Sequence, residues 1–200
     1  MILPAQKEEG FTYQDYLSWP DEERWEIIEG RAYAMSPAPK PVHQKIVWNL
    51  AAAIDRQKEK LRGCAPFIAP TDVVLDEKNV VQPDLFIICD PSKITENNIS
   101  GAPDLIIEVV SPNTEVKDRR EKFKLYERFG VKEYVIVYPE REYAEIYRLH
   151  EGKYGAPEII NWDEILKLVT IDLEIPLWEI FEKEPPHPRE ETEENENTES

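Results

Sequence analysis

Three charged residues occupy positions where the surrounding sequence calls for apolar side chains, and the first of them is Glu108. It lies in the apolar run 104–110, where strand alternation places Ile106, Glu108 and Val110 on one face. Both faces of the run are apolar, as in a strand covered on both sides. A buried carboxylate there needs a cation or a proton, because leaving it unpaired costs several kcal/mol. A structural ion pair, or a strand end that leans into solvent, is the alternative.

The second is Asp84, which follows Pro83 at the start of the apolar run 85–88. A proline begins or bends a strand, so Asp84 is predicted at the lip of one. Taken alone, an Asp after a Pro is ordinary turn chemistry. If the strands of Asp84 and Glu108 are neighbours, the two residues supply a pair of oxygen ligands for a hard cation. Mg²⁺ typically binds one or two carboxylates and completes its octahedron with waters and substrate phosphates.

The third is Lys122, in a helix predicted over 114–129 and ended by Gly130. On a wheel of ~100° per residue, Lys122 falls inside the apolar stripe, one turn after Asp118. Other cations of this helix, Lys117 and Lys124 among them, fall on the solvent half, where they steer phosphates or are simply solvated. The alternative for Lys122 is a stem that packs inside while the ammonium reaches solvent beside Asp118.

Two carboxylates and one lysine suit the hydrolysis of a phosphodiester. A divalent metal held by the carboxylates polarises the phosphate and lowers the pKa of an attacking water. A lysine orients or deprotonates that water, or neutralises the developing negative charge. The predicted roles are therefore metal ligation by Asp84 and Glu108, and assistance to water attack by Lys122.

The charge balance restricts the partners of the protein. Twenty-four Lys and Arg stand against 41 Asp and Glu, a net charge of −17 in 200 residues. Such a balance argues against generic nucleic-acid binding, which relies on a basic face. A local patch or a bound metal ion can still oppose a global negative charge.

Part of that negative charge lies in the segment 185–200, which has six Glu, one Arg and no large apolar residue. We predict a disordered acidic tail there, because such a composition cannot bury enough surface to offset its ordering entropy. Residues 1–184 are predicted to form a single domain. They keep a net charge of −12 once the −5 of the tail is removed from the total of −17.

The two cysteines, Cys64 and Cys89, are predicted to be small buried thiols, since a single pair makes neither a disulfide framework nor a zinc cluster. No basic segment followed by an apolar one opens the chain, so a signal peptide is not expected. No stretch approaches the ~18 apolar residues of a membrane-spanning helix. These features predict a cytoplasmic protein.

The periodicity of apolar residues predicts a mixed α/β or α+β domain. Helices are expected over 13–19, 42–61, 114–129, 163–168 and 177–181. Strands are expected in a hairpin over 26–28 and 31–35, and then over 72–75, 84–88, 105–110, 134–138 and 145–149.

Several motifs recur together in this order: WEIIEG at 25–30, VQPD at 81–84, GAPDLIIEVVSP at 101–112, DRREK at 118–122 and GVKEY at 130–134. In combination they resemble the Uma2 family, earlier known as DUF820, of the PD-(D/E)xK restriction-endonuclease-like group. The resemblance covers about residues 20–150. It implies a restriction-endonuclease-like mixed β-sheet of four to five strands flanked by helices, a Mg²⁺ or Mn²⁺ cofactor, and homodimers.

The resemblance also implies site residues. It gives Asp84 and Glu108 as the acidic pair and Glu26 as an auxiliary acid, with membership of the acidic run 21–29 as the alternative for Glu26. The lysine of the plain pattern is missing, because Val110 stands at its position. In this family the lysine is inferred to have moved to the following helix, which points to Lys122, the residue that the wheel selects independently.

We therefore predict a metal-dependent endodeoxyribonuclease, a hydrolase with DNA as substrate that works as a homodimer. The alternative of another class is a non-catalytic dimeric interaction or regulatory protein on a nuclease-like scaffold, which the acidic body and tail would suit. A metal-dependent hydrolase of a small phosphate ester is a third reading, and it would need a closed pocket. His43 could contact phosphate or assist catalysis, and the alternative is a histidine that caps a helix or lies on the surface.

Overall fold

A computed structural model describes residues 10–20, 23–35, 39–112 and 114–187. The acidic tail predicted for 185–200 therefore lies outside the described residues from 188 onward. None of the helices in the described part of the chain is long and apolar enough to cross a membrane.

The strands are short and numerous. In chain order they are β1 (Trp25–Ile28), β2 (Arg31–Ala34), β3 (Ala65–Ile68), β4 (Val73–Asp76), β5 (Asn79–Val81), β6 (Leu85–Ile88), β7 (Ile99–Ser100), β8 (Leu105–Val109), β9 (Glu133–Tyr138), β10 (Tyr143–His150), β11 (Lys153–Tyr154), β12 (Glu158–Asn161), β13 (Ile165–Leu168) and β14 (Leu173–Pro176).

The helices are α1 (Tyr13–Tyr16), α2 (Pro41–Asp55), α3 (Glu115–Lys117), α4 (Phe123–Phe129) and α5 (Leu177–Ile180). A π-helical turn, Asp118–Lys122, joins α3 to α4 without a break. Short 3₁₀ turns cover Lys58–Leu61, Pro91–Lys93 and Val169–Ile171. Gly130 ends α4 in the left-handed conformation, with φ of 79°, as its position after the apolar stripe predicts.

The larger sheet has seven strands in the order β11-β10-β9-β8-β6-β3, with β12 also paired to β10. Strand β8 runs parallel to β9 and antiparallel to β6. A second sheet has the order β2-β1-β5-β4-β7, and β13 pairs with β14 in a separate hairpin. The mixed α+β class with a mixed sheet is confirmed, although the larger sheet has seven strands and not the four to five expected.

Both faces of the seven-stranded sheet are covered. Leu105, Ile107 and Val109 of β8 pack with α2 and the β13–β14 hairpin. Ile106 packs on the opposite side, with α4 and the five-stranded sheet. The alternation predicted for β8 is confirmed, and it turns Glu108 toward the side of the π turn and α4.

Two helix predictions need correction. The segment 163–168 contains strand β13, because its buried Leu166 and Leu168 alternate with exposed residues and pair with β14. The helix predicted over 42–61 ends at Asp55, and only Leu61 of the charged segment that follows is buried, through a 3₁₀ turn. In both places local helix propensity yields to pairing or packing with distant residues.

The prediction of two buried thiols is wrong, since Cys64 and Cys89 form a disulfide and both are only half-buried. The reason is strand register. Ala65 pairs with Ile88 across β3 and β6, so the residues just before β3 and just after β6 face each other. Disulfides are rare in the cytosol. The cysteine content therefore no longer supports a cytoplasmic location.

Candidate active site

The two predicted acids lie side by side at the start of β6. Leu85 pairs with Ile107, so Asp84 stands opposite Glu108 in the same antiparallel register. The Asp84 backbone N–H lies 3.4 Å from Glu108 Oε2, and Asp84 Oδ2 accepts a hydrogen bond of 2.8 Å from the backbone N–H of Val109. Pro83 begins this strand, as the sequence predicts, and keeps Asp84 at its lip, where 19% of the Asp84 side chain is exposed.

Lys122 lies among buried carboxylates. Its Nζ is 2.7 Å from Glu108 Oε1 and 3.6 Å from Asp118 Oδ1. The side chain is almost completely buried, so its ammonium does not reach solvent as the alternative would have it. The position selected by the helical wheel therefore faces the acidic pair across the interior.

Glu26 joins the same cluster from β1. Its carboxylate is fully buried, with Oε1 2.8 Å from Lys122 Nζ and 3.0 Å from the backbone N–H of Gln82, which donates to it. Its second oxygen, Oε2, accepts a hydrogen bond of 2.5 Å from Lys117. Glu26 therefore belongs to the buried cluster around Lys122, and its role as an auxiliary acid stays a prediction.

Lys117 is a residue of the site that sequence reasoning missed. The wheel places it on the solvent half, since residues five apart in an α-helix are about 140° apart. The i→i+5 hydrogen bonding of the π turn instead brings Lys117 and Lys122 to the same side. No feature of the sequence predicts this π turn. Such turns are frequent at functional sites.

Two further groups contact the acids. Tyr126, one turn after Lys122, donates a hydrogen bond of 2.8 Å to Glu108 Oε1 from a fully buried hydroxyl. His43, near the N-terminus of α2, places Nε2 3.2 Å from Asp84 Oδ2, while its buried Nδ1 has no hydrogen-bond partner within the described residues. His43 thus contacts a proposed metal ligand. Tyr126, like Lys117, was not predicted as a site residue, although its place after Lys122 in the apolar stripe of the helical wheel could have indicated it.

The carboxylates of this cluster have different proton affinities. Burial opposes the ionisation of Glu26, but the ammonium groups of Lys122 and Lys117 outweigh it and lower the pKa of Glu26 to about 2. Burial raises the pKa of Glu108 to about 8 against the opposing effect of the Lys122 ammonium, and the carboxylates of Asp118, Asp84 and Glu26 add to the increase. Burial also raises the pKa of Asp118. The same carboxylates outweigh burial at Lys122 and raise the pKa of its ammonium well above the ordinary value, so it stays charged.

The cluster contains more carboxyl groups than ammonium groups, and a bound cation would favour the ionised form of the carboxyl groups beside it. Its ionisable members are four carboxylates and two ammonium groups: Glu26, Asp84, Glu108, Asp118, Lys117 and Lys122. Within the described ranges no group of three or more His, Cys, Asp and Glu side chains could hold a metal. Two adjacent carboxylates, one of them partly exposed, fit the oxygen donors that Mg²⁺ uses together with waters and phosphates.

Comparison with known proteins gives three results. Residues 13–177 match the Uma2 family, described as "Putative restriction endonuclease". The uncharacterized protein slr1290 of Synechocystis sp. (strain PCC 6803) is 29% identical in a match 168 residues long, which covers 80% of this chain and 85% of that protein. The crystal structure of a "putative nuclease belonging to DUF820" from Anabaena variabilis superposes with a TM-score of 0.71 at 20% identity, covering 86% of this chain and 98% of the other. The last likeness establishes a shared fold.

Proposed function

This chain belongs to the Uma2 family, and on that premise we propose that it is a divalent-metal-dependent endonuclease that hydrolyses phosphodiester bonds of DNA. The observation that carries the proposal is the contact of 2.7 Å between Lys122 Nζ and Glu108, with Asp84 directly beside Glu108. In this proposal Asp84 and Glu108 hold Mg²⁺ or Mn²⁺. When bound, the metal supplies Lewis-acid polarisation of the phosphate and acidifies its water.

The charge state of Lys122 selects between its two candidate roles. A lysine that acts as a base must lose its proton near neutral pH, whereas the carboxylates around Lys122 hold its pKa well above the ordinary value. We therefore assign it the orientation of the attacking water and the stabilisation of negative charge on the phosphate. Glu26 and Tyr126 hold the Lys122–Glu108 pair in place through their hydrogen bonds.

The cost of this cluster supports an enzyme over a non-catalytic scaffold. Burial raises the pKa of Glu108 and of Asp118, so keeping either of these carboxyl groups ionised opposes folding. A protein that served only as an interaction module would gain nothing from such a cluster. The non-catalytic interaction module is therefore the interpretation to adopt if the protein neither binds metal nor cleaves DNA.

Two further parts of the proposal concern the assembly and its location. We propose a homodimer, as the family resemblance implies, so that two sites can act on two strands; light scattering of the purified protein tests it directly. We also keep the cytoplasm as the compartment, where a nuclease meets intracellular DNA, although the Cys64–Cys89 disulfide is a bond more usual in oxidising compartments.

Cleavage of DNA tests the proposal. Supercoiled plasmid and labelled single strands are incubated with the protein and Mg²⁺ or Mn²⁺, with EDTA as the blank. Wild type should cleave, while Asp84→Asn and Lys122→Met should lose activity by about a hundredfold or more. Lys167→Met, at an exposed lysine of β13, is the matched control and should cleave like wild type. The absence of metal-dependent cleavage, or equal cleavage by all variants with native circular dichroism, would overturn the proposal.

A further inference from the structure

A groove of about 890 Å³ separates the β1–β2 hairpin from the π turn and α4. Buried Ile28 and Leu125 form an apolar floor. The ring of Tyr33 lines one wall and is partly exposed. Four cations also line the groove: Arg31, Lys124, Arg128 and Lys153.

The groove begins beside the candidate active site. Tyr33 is the cross-strand partner of Glu26 in the β1–β2 hairpin. The ammonium of Lys117, which binds Glu26, lies 5.8 Å from the centre of the Tyr33 ring. These two contacts place the Tyr33 end of the groove beside the Glu26 and Lys117 side chains of the candidate site.

The charge of the groove runs against that of the whole protein. It contains four of the 24 Lys and Arg residues but only three of the 41 Asp and Glu residues, which are Glu29, Glu121 and Glu127. Glu127 accepts a hydrogen bond from the backbone N–H of Tyr154 and pairs with Lys153, whose side chain is 79% exposed and so can also approach a phosphate. Glu29 pairs with Arg128 through side chains that are about half exposed, and an exposed pair of this kind is weak enough to exchange for a phosphate.

We propose that this groove binds a single-stranded segment of the DNA substrate next to the scissile bond, an inference that rests on the proposed nuclease function. A basic groove with an aromatic ring is how proteins hold single strands, because cations follow the phosphates while bases stack on the ring. The bases of a duplex are stacked on one another and cannot reach Tyr33 inside the groove. Glu121, which lines the groove, has a buried carboxylate oxygen without a hydrogen-bond partner in the described residues, and a base amino group could donate to it.

Binding of a labelled oligonucleotide tests the inference without any need for cleavage. Fluorescence anisotropy in EDTA compares a mixed-sequence oligodeoxynucleotide with the same strand annealed to its complement, at several salt concentrations. The single strand should bind wild type about tenfold more tightly than the duplex, since one stacked base contributes roughly 1–3 kcal/mol. Tyr33→Ala should lose about that factor, whereas Tyr33→Phe, which keeps the ring, should bind like wild type.

A charge reversal provides the second readout. Lys124→Glu should weaken binding of the single strand about tenfold and reduce the salt slope by about one. The matched control is Lys58→Glu, an equal charge change at an exposed lysine outside the groove, which should change binding by less than about threefold. Equal effects of both reversals, a preference for duplex, or no binding to wild type would overturn the inference.

The two proposals can fail separately. If the single strand binds in the groove but is not cleaved under any metal condition, the proposed binding site stands and the proposed nuclease function is overturned. If Tyr33→Ala and Lys124→Glu leave metal-dependent cleavage of single strands unchanged, the proposed nuclease function stands and the proposed binding site is overturned.

Discussion

Lys117 and Lys122 bind opposite oxygens of the Glu26 carboxylate, at 2.5 and 2.8 Å, although they lie five residues apart on one helical segment. The π turn Asp118–Lys122 makes this possible, because it stacks residues that an α-helix would direct to different sides. Glu26 thereby forms an ion pair with Lys117 in addition to its contact with Lys122. The Lys122 ammonium is left close to Glu108, where the proposed chemistry needs it.

A double-mutant cycle on Lys117 and Glu26 should reveal strong coupling. Lys117→Met should lower the free energy of unfolding by about 2 kcal/mol, because it leaves a buried carboxylate with one shared ammonium. In the background of Glu26→Gln the same change should cost much less, giving a coupling energy of about 1–2 kcal/mol. Urea denaturation at neutral pH measures all four proteins. Additive effects, within about 0.5 kcal/mol, would mean that the contact carries no energy.

Glu26 should also make the protein sensitive to acid. Its folded-state pKa of about 2 lies below the ordinary value of 4.5, so its ionisation stabilises the fold above pH 4.5. That contribution, on the order of 3 kcal/mol, should be lost as the pH falls from 4.5 toward 2. Denaturation of wild type and Glu26→Gln across this range measures it. The two free energies of unfolding should converge as the pH falls, and a constant difference between them would refute the assignment.

The Cys64–Cys89 disulfide should stabilise the fold by restricting the unfolded chain. For a sequence separation of 25 residues, loop-closure entropy predicts about 3.5 kcal/mol. Dithiothreitol should therefore lower the melting temperature of wild type and leave a Cys64→Ser, Cys89→Ser double variant unchanged. Thiol titration of the unreduced, denatured protein should find no free cysteine. Two reactive thiols would show that the bond does not form.

The main elements of the site follow from local patterns. Glu108 interrupts an apolar alternation in β8, and Lys122 interrupts an apolar stripe shared with Leu125 and Tyr126. The helical wheel is right for Lys122 because Lys122, Leu125 and Tyr126 all lie at or after the end of the π turn, where α-helical spacing holds. It is wrong for Lys117 because that residue lies before the turn.

Other features depend on contacts that no local pattern contains. Glu26 enters the site because β1 pairs with β5. This pairing brings Glu26 next to Gln82, two residues before Asp84. The disulfide depends on the register of β3 against β6. Strand β13 consists of residues with fair helix propensity, and only its pairing with β14 makes it a strand. Long-range pairing decides each of these cases.

Calorimetric titration with Mg²⁺ and Mn²⁺ tests the central claim, that Asp84 and Glu108 hold a divalent cation. The isosteric variants Asp84→Asn and Glu108→Gln keep the shape of the site, and Glu174→Gln, at an exposed carboxylate of β14, is the control. Wild type and Glu174→Gln should bind metal, while binding should vanish in Asp84→Asn and in Glu108→Gln. No binding to wild type, with or without an oligonucleotide, or equal binding by all four proteins, would contradict the account and leave the acids as structural groups.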